Sequence, residues 1–259
     1  YSGATVGWTP ASDIVSALEP VAPATQRAIF AYGDSGSLTS ISNLVNSSGV
    51  VAADVTGVGT ARVGLAASSY GYGYTTGDVS MTNLVNNSGV VATDVSGVGT
   101  ARNAPAAAEY GGDKAIFGYG QNSSSGANLS VTNLVNNSGV VASDVTGVGS
   151  IRIAPAAARY GEDKAIFGYG FAGGQLSVTN LVSNSGVVAA DVTGVGTART
   201  EIAAASYGGD KAIFGYGNGG SGKVATTNLV NNSGVVGSDV SGVGTVRRAS
   251  EAAGYSYSA

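Results

Sequence analysis

The octet DKAIFGYG stands at residues 113–120, 163–170 and 210–217, and a frayed form, RAIFAYG, occupies 27–33. It belongs to a longer repeat. NLV recurs at Asn43, Asn83, Asn133, Asn180 and Asn228, at intervals of 40, 50, 47 and 48 residues. Each copy runs into an Asn/Ser-Gly turn, a GVV run and an aspartate (Asp54, Asp94, Asp144, Asp191, Asp239). A TGVG or SGVG turn and an arginine (Arg62, Arg102, Arg152, Arg199, Arg247) complete it. Self-similarity at this period restricts the chain to architectures that stack one supersecondary unit on the next.

Each unit offers four strand candidates. These are an Ala-rich stretch ending in Tyr-Gly, the DKAIFGYG octet, an alternating LSVTNLV and a valine-rich GVVASDV. NNSG and SNSG between the last two are hairpin turns, where Asn and Gly tolerate positive φ. Outside residues 1–25 no segment carries ten or more residues of helical period. Four short antiparallel strands repeated five times predict an all-β, five-bladed β-propeller over 26–259, preceded by a non-repeat arm at 1–25.

The small side chains of APAAA and IAAAS suit the crowded inner strands of such a ring. The first unit lacks its own Ala-rich strand, and TVRRASEAAGYSYSA at the C-terminus reads as that missing strand. Pairing the two would close the ring and remove an open edge. The second unit lacks about seven residues between Tyr70 and Asp78, which leaves it a cramped second strand or only three strands. In the arm, SDIVSALEP reads as a short helix ended by Pro20. Its load of Trp8, Ile14, Val15 and Leu18 predicts burial against something, either a neighbouring subunit, which assembly favours, or the chain's own propeller. Because the sequence starts at Tyr1 and not Met, a processed or trimmed product is expected.

Composition narrows the chemistry. Glycine accounts for 42 of 259 residues, yet 43% hydrophobic content in regular spacing argues for a packed core. A net charge of −4 gives no basic field for a phosphate backbone, so nucleic acid is not an expected partner. No apolar run reaches membrane-spanning length. With no Cys, the chain has no disulfides and no thiolate chemistry; with no His, it has no triad base.

The five Arg and five Asp appear once per unit, so a catalytic role would demand five equivalent sites. Pairing between Asp and a nearby Arg or backbone N–H is the expectation. DVTGVGT offers one carboxylate where calcium needs several oxygen ligands, and the glycine loops lack the Lys and helix of a phosphate cradle. Asp113, Glu162, Asp163 and Asp210 sit in a recurring turn and read as solvated, not as a glycosidase pair. Asn46, Asn86, Asn136 and Asn231 match N-x-S sequons, but hairpin turns demand the same letters. Neither cofactor nor metal is expected. The candidate binding residues are loop tyrosines, Tyr72, Tyr74, Tyr119, Tyr169 and Tyr216, because only the loops beside them vary between copies.

The order Arg, small apolar strand, Tyr-Gly, AIFGYG, VTNLV resembles the kelch repeat over residues 26–257, with Gly-Tyr-Gly where kelch units carry adjacent glycines. The tandem units also resemble repeat proteins predicted in tailed-bacteriophage virions. That resemblance implies a non-enzymatic virion or extracellular structural protein, acting in attachment or assembly at a particle surface. Its partners would be further copies or other particle proteins. A carbohydrate-binding propeller lectin, presenting shallow sites to a cell-surface glycan, is the alternative.

Overall fold

The computed structural model describes residues 28–46, 48, 50–68, 70–74, 78–86 and 88–254, except for the side chains at 68 and 70–74. The arm at 1–25, with Trp8, Ile14, Val15 and Leu18, falls outside the described residues. Among the described residues the regular elements are all β-strands.

Five units follow one another. The first holds β1 (Ala28–Asp34) and β2 (Leu38–Val45); the second holds β3 (Val63–Ser68) and β4 (Tyr70–Tyr74). The third comprises β5 (Ala106–Tyr110), β6 (Lys114–Gly118), the short β7 (Gln121–Asn122) and β8 (Ala127–Asn128), and β9 (Thr132–Val135). The fourth is β10 (Ala156–Tyr160), β11 (Lys164–Phe171) and β12 (Gln175–Val182). The short β13 (Arg199–Thr200) closes it, and the fifth holds β14 (Ala203–Tyr207) and β15 (Lys211–Gly215). It ends with β16 (Asn218–Gly219), β17 (Gly222–Lys223) and β18 (Thr227–Val230).

Register repeats with the sequence. The Ala-rich strand pairs antiparallel with the octet strand as Ala106↔Gly118, Ala156↔Gly168 and Ala203↔Gly215. On its other side the octet strand meets the NLV strand as Ala115↔Val135, Ala165↔Val182 and Ala212↔Val230, and likewise Ala28↔Val45. The fourth strand expected in each unit is not continuous. It touches the NLV strand only at two bridges, for example Thr132↔Val145 and Val135↔Val141, and all five units do the same. Five residues on one side, Val141 to Val145, face four on the other, Thr132 to Val135, which is a bulge. The strand buckles there around the Asn133 side chain, whose Nδ2 donates to Ala142 O at 3.1 Å.

The core lies between units. One cluster joins Ala156, Ala158, Tyr160, Ile166 and Tyr169 of the fourth unit to Phe214, Ala212 and Val230 of the fifth. A second joins Ala106, Ala108, Tyr110, Ile116 and Tyr119 to Phe167, Ala165 and Val182. The Ala-rich strands β3, β5, β10 and β14 lie side by side in chain order, and their alanines permit that approach. β13 sits between β12 of the fourth unit and β16 of the fifth, fusing them into one curled six-stranded sheet. In the second unit β4 pairs with β3 in a shifted register, Val63↔Tyr74 and Ser68↔Tyr70. The missing residues thus leave it a shortened octet strand.

Among the described residues, the first unit and the C-terminal segment do not pair into the shared blade that the sequence suggests. Arg247 bridges Val224, its carbonyl accepts from Gly217 N at 2.9 Å, and Ala249 N donates to Glu201 O at 3.0 Å. The segment therefore lies along the fifth unit. The second and fourth units end the same way, at the bridges Val79↔Arg102 and Leu176↔Arg199, and in the third Arg152 N donates to Leu129 O at 3.2 Å. Among the described residues β1 pairs only with β2.

Candidate functional site

The recurring polar residues assemble at the joints between units. In the joint between the third and fourth units, Arg152 is fully buried. Its guanidinium carbon lies 3.7 Å from the centroid of the Tyr119 ring, on the third unit. Its Nη2 donates to Asn180 Oδ1 of the fourth unit at 2.7 Å, and its Nη1 donates to Ser150 O at 3.1 Å. Asn180 is also fully buried and donates through Nδ2 to Asp191 Oδ1 at 2.9 Å. Asp191 accepts from Ser150 N at 3.0 Å and from Ser150 Oγ at 2.6 Å. The arginine of one unit is thereby clamped between its tyrosine and the next unit's asparagine, while the next unit's aspartate grips the intervening turn.

This arrangement recurs. Arg62 lies over Tyr32 and donates to Asn83, whose Nδ2 donates to Asp94. Arg102 donates to Asn133 at 2.7 Å, with Asp144 gripping Thr100. Arg199 lies over Tyr169 and donates to Asn228, with Asp239 gripping Thr197. Arg62, Arg102 and Arg152 stand 3.7–4.0 Å from Asp94, Asp144 and Asp191, so the short bonds to the turn hydroxyl, at 2.6 Å in all four joints, are the stronger hold on the carboxylate.

Electrostatics agrees with that geometry. Partial burial alone would push the carboxyls of Asp94, Asp144, Asp191 and Asp239 up. Hydrogen bonds from the Thr or Ser hydroxyl, the Asn amide and the turn N–H outweigh it. With the neighbouring arginine they hold all four below the usual carboxylate range. Burial raises the Tyr119 and Tyr169 phenols, against the pull of the adjacent arginine.

The local sequence explains the shapes. Gly-Tyr-Gly makes a bulge in the octet strand, with a register shift between Gly168 and Gly170. Tyr169 takes φ +64° there, a costly left-handed conformation that turns its ring under Arg199. The glycines of the GVG turn admit no side chain. At Gly149, with φ +77°, a Cβ would stand 2.2 Å from Asp191 Oδ1.

The expected pairing of the repeated Asp and Arg through backbone N–H groups and guanidinium is what the joints contain, but across units and not within them. Two positions differ. Asp54, in the first unit, is exposed and among the described residues only receives the Asn43 amide at 2.8 Å; Arg247 is exposed over the Tyr216 ring. The tyrosines expected to bind at the surface are mostly consumed by packing. Tyr119 and Tyr169 are fully buried, which withdraws them from any surface site, and Tyr216 is partly covered by Arg247. Tyr72 and Tyr74 lie in β4, and their side chains are outside the description.

No protein-family model matches the chain, and no curated protein matches it.

The joint asparagines and the gripping Thr60, Thr100, Ser150 and Thr197 are residues that sequence reasoning missed. Their signal was available: an asparagine in the middle of an apolar strand is poor β chemistry unless its side chain has partners. The N-x-S turns are turns indeed. Asn136 Oδ1 accepts from Ser138 N at 3.0 Å and Val140 N at 2.9 Å, and in the fourth unit Ser183 Oγ takes over, accepting from Val187 N at 3.1 Å. Asp113 pairs with Lys114 at 2.6 Å and accepts from Asn137 at 3.1 Å, in an exposed turn.

Proposed function

We propose that this chain is a non-enzymatic structural protein of a virion or other extracellular particle, a row of propeller-like units acting in assembly or attachment. The observation that carries this reading is how the repeated polar groups are used. The buried Arg–Asn pairs and the aspartates beside them hold one unit to the next, and none is left aimed into an open cleft. What varies from copy to copy is the set of loops after Gly-Tyr-Gly, from QNSSSGAN to FAGGQ to NGGSGK. The kelch-like order of each unit and the curled sheet support the propeller-like reading. The resemblance of the tandem units to virion repeat proteins supports the setting. A sugar-binding role would have to rest on loop residues other than Tyr119 and Tyr169, which are buried.

Antibody raised against the purified chain, applied to density-banded particles from the source community, tests the reading. Label on intact particles is the expected result. Label confined to soluble fractions would overturn it, and saturable binding on a glycan array would replace it with the lectin.

A further inference from the structure

The two ends of the row carry the two halves of the joint described above, each without its counterpart among the described residues. Inside the row, Phe167 and Phe214 are fully buried because each ring lies on the glycine of the preceding unit's octet strand. A Cβ at Gly118 or Gly168 would stand 2.8 Å from that ring. The corresponding ring of the first unit, Phe30, is 63% exposed. Over the fifth unit's glycine, Gly215, only Thr227 Cγ2 comes within 4 Å of a Cβ. Leu134 and Leu181 pack on the turn glycine of the following unit, at Gly186 and Gly234, whereas Leu229 of the fifth unit is 43% exposed. Among the described residues, the first unit presents Asn43 and Asp54 with no arginine, and the fifth presents Arg247 with no asparagine.

The backbones match as well. Among the described residues β1 is bonded on one edge only, since its unit has no Ala-rich strand. The segment after Arg247 runs onward beside β14, where a Cβ at Gly254 would stand 2.7 Å from Ser206 O, but it has no octet strand of its own. In the fourth unit the Ala-rich strand starts four residues after the arginine, at Ala156 beyond Arg152, and faces Gly168. The same count places Glu251 opposite Ala31 and Ala252 opposite Phe30. An unpaired edge and an unpaired strand with matching register are a template for β-augmentation.

We propose that the first unit of one copy docks on the fifth unit of a second copy and rebuilds the internal joint between chains. Phe30 covers Gly215, Asn43 and Asp54 receive Arg247, and Glu251–Gly254 pairs with β1. The contact is heterologous, so copies add head to tail. It deepens the assembly role proposed above and names the partner as a further copy of the same chain.

Sedimentation of the 259-residue chain at rising concentration, with two variants, is the test. Phe30→Asp disables one face and Arg247→Glu the other, and both positions are exposed, so neither threatens the fold. The wild type is expected to form oligomers that grow with concentration. Each variant alone should associate roughly 30-fold or more weakly. An equimolar mixture should stop at the dimer, because one intact face of each kind remains. Disulfide trapping between Asp54→Cys and Arg247→Cys is clean in a chain with no native Cys. A wild type that stays monomeric, or a trapped bond found within single chains, would overturn the proposal. Either result leaves the non-enzymatic reading standing. Particle label lost while head-to-tail association holds would sink that reading alone.

Discussion

Replacing Asn180 by Ala should uncouple the third unit from the fourth. Asn180 is fully buried and makes three bonds: it accepts from Arg152 Nη2 at 2.7 Å and donates to Ala189 O at 3.0 Å and to Asp191 Oδ1 at 2.9 Å. The alanine leaves Nη2 of a buried guanidinium without its acceptor, and that loss together with the two amide donations costs about 3–5 kcal/mol. The total stays within that range because Asp191 keeps its bonds to Ser150. For a chain of this length the melting temperature should drop by roughly 6–20 °C. Asn43→Ala removes the same side chain where no arginine meets it, and should cost only about 0.5–1.5 kcal/mol in the monomer. Because each unit contacts only its neighbours, hydrogen exchange should rise first across the joint between 150 and 192, with β14, β15 and β18 still protected. Equal losses for the two variants, or exchange rising uniformly, would refute the reasoning.

Gly168→Ala puts a methyl group 2.8 Å from the buried Phe214 ring and should destabilise by about 1–3 kcal/mol, while Gly215→Ala meets only Thr227 and should be near neutral by denaturant midpoint. Acid should loosen the joints together. The folded pKa values of Asp94, Asp144, Asp191 and Asp239 are lowered, so their contribution is complete above the unfolded value near ~3.9 and is lost as pH falls through the folded values. A melting temperature flat from pH 5 down to pH 2 contradicts this. At the other extreme, the raised phenols of Tyr119 and Tyr169 favour the folded state fully below about pH 10. Stability should decline as pH climbs past that point, and a spectrophotometric tyrosine titration followed alongside unfolding checks it.

The repeat made much of the fold legible. Strand identity and hairpin turns in units three to five follow from alternation and Asn-Gly chemistry, and the alanines mark where strands of successive units crowd. Two features escaped because they depend on partners far along the chain. The bulged fourth strand is set by the side chain of Asn133, nine residues before the carbonyl it reaches at Ala142. The burial of Tyr119 and Tyr169 is set by arginines some thirty residues later, and a tyrosine beside a variable loop carries no local mark of that. The positive φ of the Gly-Tyr-Gly bulge turns the ring inward, whereas a regular strand would alternate it toward solvent.

A double-mutant cycle on Arg152→Met and Asn180→Ala tests most directly whether the repeated polar residues are joints between units. With the two groups 2.7 Å apart on different units, the loss from both changes together should fall short of the summed single losses by about 1–3 kcal/mol. Losses that add to within about 0.5 kcal/mol would contradict the account.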